Sequence, residues 1–92
     1  MAGLRPSSDV VLTELKDGTG VLLDVGTKHY FTLNATGVLA WRLIAAGDAP
    51  DAGALAHAIT ARYPEVDPAA VGADVAALLA ELAAEGLLAP AA

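Results

Sequence analysis

His29-Tyr30-Phe31-Thr32-Leu33-Asn34-Ala35-Thr36-Gly37-Val38-Leu39-Ala40-Trp41 is the stretch on which the architecture turns. Its first five residues, two of them aromatic, suit a pleated surface and predict a strand over 29–33. Asn34 then offers a side-chain oxygen that can cap a helix. From there to about residue 46 the chain reads as helical, with Gly47 as the stop. On a wheel Val38, Leu39, Ala40, Trp41, Leu43 and Ile44 point in nearly every direction, and Ala35, Arg42 and Ala46 fill the remaining gap. A helix so apolar is central and buried, which makes Trp41 a core anchor.

Upstream of this junction the texture is β throughout. Residues 10–15 and 21–25 read as two further strands, separated by Lys16-Asp17-Gly18-Thr19-Gly20 with its Asp-Gly turn signal. Gly26-Thr27 opens the turn into the third. Connections this short predict an antiparallel meander with two edge strands.

Downstream the texture is helical. A second helix is expected over about 51–63, capped by Asp51 and ended by Pro64, with Leu55, Ile59 and Tyr63 on one narrow stripe. His57 lies roughly opposite that stripe. A third starts at Asp67-Pro68, a cap followed by proline in the first turn, and runs to about Glu85 before Gly86. Its apolar face is Val71, Val75, Leu78, Leu79 and Leu82. Strands first and helices after define an α+β fold, a three-stranded antiparallel sheet with its helices on one face.

The 92 residues make one domain, 1–92, with 1–7 expected as a flexible tail. The chain has no cysteine, so neither disulfides nor thiolate metal sites support it. No apolar run approaches the ~20 residues of a membrane span, and the first residues do not resemble a signal peptide. The expectation is a cytoplasmic protein with no membrane partner. The net charge is −6, and its placement is uneven. Residues 1–46 balance Arg5, Lys16, Lys28 and Arg42 against Asp9, Glu14, Asp17 and Asp24. Residues 47–92 set Arg62 alone against Asp48, Asp51, Glu65, Asp67, Asp74, Glu81 and Glu85. Nucleic-acid binding needs the opposite sign.

Catalytic chemistry finds little support. Ser7 and Ser8 fall in the expected tail, and neither His29 nor His57 has a second histidine at ligand spacing. Gly18 and Gly20 belong to a hairpin turn and open no helix, so they cradle no phosphate. A carrier protein would need a serine at a helix start. The reading is a non-enzyme with no cofactor and no metal. What remains is surface: an edge of the third strand, and an acidic stripe of Asp74, Glu81 and Glu85 within ~40° on the third helix. That stripe borders Val71, Leu78 and Leu82, the pattern of a groove with an apolar floor and an acidic wall.

Tyr30-Phe31-Thr32-Leu33-Asn34-Ala35-Thr36-Gly37 with Trp41, preceded by Leu22-Leu23-Asp24 and followed by Pro64-Glu65-Val66-Asp67 and the Asp74-Val75…Leu78-Leu79…Leu82 run, resembles the PqqD-like family of RiPP precursor recognition elements. The resemblance covers about residues 6–88. It implies a winged helix-turn-helix-like arrangement of three strands followed by three helices. It also implies that the leader of a ribosomally made precursor peptide lies along the third strand against the third helix. The candidate peptide-binding residues are then Lys28, His29, Tyr30, Phe31, Thr32, Val71, Asp74, Val75, Leu78 and Glu81. Residues 6–14 and 22–24 look most like stand-alone members of lasso-peptide pathways, which serve a transglutaminase-like leader peptidase and a macrolactam cyclase. Delivery to a radical SAM enzyme is the alternative within the family, and a winged-helix DNA-binding regulator the alternative outside it. One departure stands out: Lys28 occupies a position, two before the tyrosine, where many members carry glycine. A turn shifted by one residue would exchange the two faces of the third strand.

Overall fold

The computed structural model describes residues 4–48 and 51–89. Three strands, β1 (Val10–Glu14), β2 (Gly20–Asp24) and β3 (Tyr30–Leu33), precede three helices, α1 (Ala35–Ala45), α2 (Ala52–Arg62) and α3 (Pro68–Ala84). The sheet is an antiparallel meander in the order β1-β2-β3, so the α+β reading holds.

Each helix begins where the sequence supplies a cap. The Asn34 side chain accepts from the Gly37 N–H at 2.8 Å and Asp51 from Ala54 at 2.7 Å. Asp67 accepts from Ala69 at 3.0 Å, one residue ahead of Pro68. These bonds satisfy N–H groups that an uncapped helix start would leave unpaired.

The register settles the faces. Leu22 pairs with Leu12 on one side and Phe31 on the other. Leu22 is fully buried and Leu33, two along from Phe31, is buried as well. Phe31 and Leu33 therefore face the helices, while Tyr30 and Thr32 face outward with Leu23 and Val21. The turn that sets this register is closed by Asp24 N–H to the His29 carbonyl and Lys28 N–H to the Asp24 carbonyl, both 2.8 Å. Lys28 adopts φ +66°, the left-handed conformation that glycine enters without strain. The left-handed geometry that a glycine enters freely is thus held here by a lysine, in a register that turns Phe31 toward the helices.

Two apolar clusters form the interior. Beneath the sheet, Leu22, Leu33, Val38, Trp41, Leu82 and Leu87 pack together; between the helices, Ala40, Ile44, Leu55, Ile59, Val71 and Val75 do the same. Leu78 and Leu88 pack against both. Trp41 is only 4% exposed, as expected of a core anchor. Gly20 lets α1 approach the sheet: a Cβ there would lie 2.9 Å from both Leu12 and Val38 side-chain atoms.

The segment expected as a tail is largely attached. Residues 1–3 lie outside the described residues. Pro6 bridges Leu88, the Ser7 N–H donates to the Leu87 carbonyl at 3.0 Å, and the Ser7 hydroxyl donates to the Gly86 carbonyl at 2.8 Å. Leu4 packs against the helical cluster. Gly86, at φ +72°, ends α3 and turns the chain toward this pairing.

Candidate functional site

β3 is an edge strand, since β2 is its sole neighbour in the sheet. Antiparallel ladders alternate hydrogen-bonded and non-hydrogen-bonded pairs. With Asp24 bonded to His29, the alternation directs Phe31 and Leu33 main-chain groups to β2. The N–H and C=O groups of Tyr30 and Thr32 then point to the free edge. Such an edge can accept an extended peptide as a further strand.

β3 leads directly into a groove of about 390 Å³ bounded by the start of α1, the end of α2 and one side of α3. Val71, Val75 and Leu78, with Ala40 and Ile59, supply its apolar surface. Asp74 and Glu81, both exposed, add carboxylates along α3. Asn34, Thr36 and Gly37 form the rim nearest β3, and Tyr63 and Val66 line the α2 side. Gly37 keeps that rim close: a Cβ would stand 3.1 Å from the Leu33 side chain and 3.3 Å from the capping Asn34 oxygen, so both neighbours would have to shift by a few tenths of an ångström.

Of the ten candidate residues, the structure brings Val71, Asp74, Val75, Leu78 and Glu81 to one groove. Lys28, His29, Tyr30, Phe31 and Thr32 lie along the strand that runs into its rim and do not line it. Phe31 packs on the same sheet-side cluster as Leu78, whereas Tyr30 is 68% exposed on the opposite face. Of the two aromatics, Phe31 alone faces the helices. His29 Nε2 lies 3.2 Å from Glu85 Oε2, joining the start of β3 to the end of α3. Glu85, the third acid of the stripe, is engaged there and does not line the groove. Asn34, Thr36, Tyr63 and Val66 were not among the candidates. Asn34 and Thr36 carry a signal in hindsight, because they directly continue β3. The Tyr63 stripe assignment indicated packing, and Val66 in its loop gave no indication.

No group of three or more metal-ligating side chains occurs among the described residues, and there no helix is long and apolar enough to cross a membrane. An open strand edge running into an apolar, acid-rimmed groove is geometry for docking an extended peptide. The chain belongs to the PqqD family: the family model described as coenzyme PQQ synthesis protein D matches residues 19–88. Two solved structures resemble it closely. TbiB1 in complex with the TbiA(beta) leader peptide is 34% identical with a TM-score of 0.77, over 91% of this chain and 93% of that one. A lasso peptide synthetase B1 complexed with the leader peptide is 28% identical with a TM-score of 0.78, over 97% of this chain and all of that one. No match is found among curated proteins.

Proposed function

We propose that this protein binds the leader of a lasso-type precursor peptide along the β3 edge, with leader side chains entering the α3 groove. The observation that carries this reading is an edge strand, β3, whose chain continues at Asn34 into the groove lined by Val71, Val75 and Leu78. Main-chain pairing attaches a peptide with little regard to sequence; the groove selects among side chains. Two similar structures hold leader peptides, and one of them is a lasso peptide synthetase B1, which favours that pathway over delivery to a radical SAM enzyme. DNA binding is disfavoured because α3 carries no lysine or arginine.

The protein acts without catalysis, presenting the precursor to a leader peptidase and then to a macrolactam cyclase. Presentation requires a second surface, and the outer face of the sheet offers one. Val11, Leu23 and Tyr30 form a row across the three strands, 51%, 38% and 68% exposed, with Val25 beside them. The α1 and α3 residues Val38, Trp41 and Leu82 pack on the other face. A patch of this kind suits a protein contact.

A titration with the labelled leader of a lasso-type precursor peptide tests the reading. Binding should be saturable, and Asp74→Lys should weaken it more than tenfold, because a partly desolvated charge is reversed in the groove. Glu85→Lys should change it by less than about threefold, because Glu85 is exposed and lies outside the groove. Absence of binding by the wild-type protein would refute the function. Equal affinities for wild type and Asp74→Lys would remove the charge contribution alone, leaving Leu78→Ala to judge the groove.

A further inference from the structure

We propose that a second concavity, on the far side of α1 from the groove, docks a carboxylate-bearing segment of a protein partner. It measures about 330 Å³ and is bounded by α1, the β1–β2 turn and the end of α2. Thr36, Gly37 and Ala40 face the groove, whereas Ala35, Val38, Leu39 and Arg42 face the concavity. At ~100° per residue those two sets lie roughly 160° apart on the helix. Tyr63 is the one residue that lines both depressions, so a peptide filling the groove leaves the rest of the concavity's lining uncovered.

The charge there opposes the rest of the molecule. Two of the five lysines and arginines of a chain with net charge −6, Arg42 and Arg62, line this one depression. Glu14 is the only acid lining it, and its carboxylate is taken by the Arg42 guanidinium. Among the described residues Arg62 has no ion pair and no side-chain hydrogen bond partner. The result is an excess positive charge beside Val38, Leu39 and Tyr63. A guanidinium presents a fork that fits a carboxylate in two hydrogen bonds. A free carboxylate gains too little from one exposed arginine to be retained. The acid must therefore arrive on a chain that also covers the neighbouring apolar side chains.

The experiment is an NMR titration of isotope-labelled protein with acetyl-Leu-Glu-Glu-Leu-amide, with acetyl-Leu-Lys-Lys-Leu-amide and acetate as comparisons. The acidic peptide should shift Gly18, Ala35 and Arg62 resonances saturably. Arg62→Gln should weaken that binding about fivefold, the scale of one exposed charge pair. Glu14→Gln, which releases Arg42, should strengthen it about two- to fivefold. Prior loading of the groove with leader should leave the affinity unchanged within twofold, so the result stands apart from leader binding itself. An equal response to the lysine peptide or to acetate would overturn the proposal. So would indifference to Arg62→Gln, loss of binding on leader loading, or the same shifts on raising protein concentration alone, which would mark a second copy as the occupant.

Discussion

Replacing Thr32 by proline separates the free edge of β3 from its bonded edge. The Thr32 N–H points away from β2, so the substitution removes no bond of the β2–β3 ladder. Proline is tolerated on edge strands where the missing donor faced solvent, and Phe31 before it is already extended, as a residue preceding proline prefers. The fold should survive with its melting temperature nearly unchanged. Leader binding should not. One main-chain hydrogen bond is worth about 1 kcal/mol net, and a leader carbonyl left unpaired against the protein raises the loss toward about 2 kcal/mol. That corresponds to roughly five- to thirtyfold in Kd. Fluorescence anisotropy with labelled leader measures it, with Thr32→Val as the control that keeps the N–H and should bind within twofold. Phe31→Pro is the complementary variant: it removes a donor used by β2 and should destabilise the domain itself. A folded Thr32→Pro protein that binds leader as tightly as wild type would refute docking on this edge.

Three other outcomes are expected. Trp41→Ala removes the largest side chain of the sheet-side cluster and should cost about 3–5 kcal/mol, unfolding most of a domain of this size; circular dichroism and a thermal melt decide it, and an unchanged melt with lost leader binding would place Trp41 in the site. Lys28→Gly relieves a side chain held at φ +66° and should raise stability by about 1 kcal/mol, or roughly 4–8 °C in Tm; a lower Tm would mean that the lysine makes a compensating contact. Hydrogen bonds from the Thr19 hydroxyl and Thr19 N–H hold the Asp17 carboxyl below its ordinary value of 3.8. A lowered folded-state pKa stabilises above the unfolded value and loses its effect as pH falls through the folded one. The stability gap between wild type and Asp17→Asn, read from urea midpoints, should therefore be constant from pH 7 to about 5 and close in stronger acid.

Local signals explain what the sequence disclosed. Asp17-Gly18, Asn34, Asp51 and Asp67-Pro68 each fix a turn or cap through chemistry within four residues, so element order and type were readable. The α3 groove wall was readable for the same reason, because Asp74, Leu78 and Glu81 share one helix face. The faces of β3 were not. Tyr30 and Phe31 are both aromatic, and the choice between them hangs on whether the preceding turn contains a left-handed residue, which Lys28 conceals. Nor was the fate of Glu85, whose partner His29 stands 56 positions earlier in the chain. Ser7 pairs with Gly86 across 79 positions, a contact that no periodicity announces. Arg42 and Arg62 likewise meet only because α1 packs against α2.

The bridge between Pro6 and Leu88 makes the described chain nearly a closed ring. Closure of that kind allows the order of segments to be rewritten without altering the shape they make. Joining the two ends by a short flexible linker and opening the chain at Lys16-Asp17-Gly18, an exposed hairpin turn, should yield a circular permutant with the same three-dimensional arrangement. Its new ends would lie on the side of α1 away from the groove, where the second concavity begins at Gly18. A passenger domain attached there would approach that concavity while leaving the leader's strand edge unobstructed.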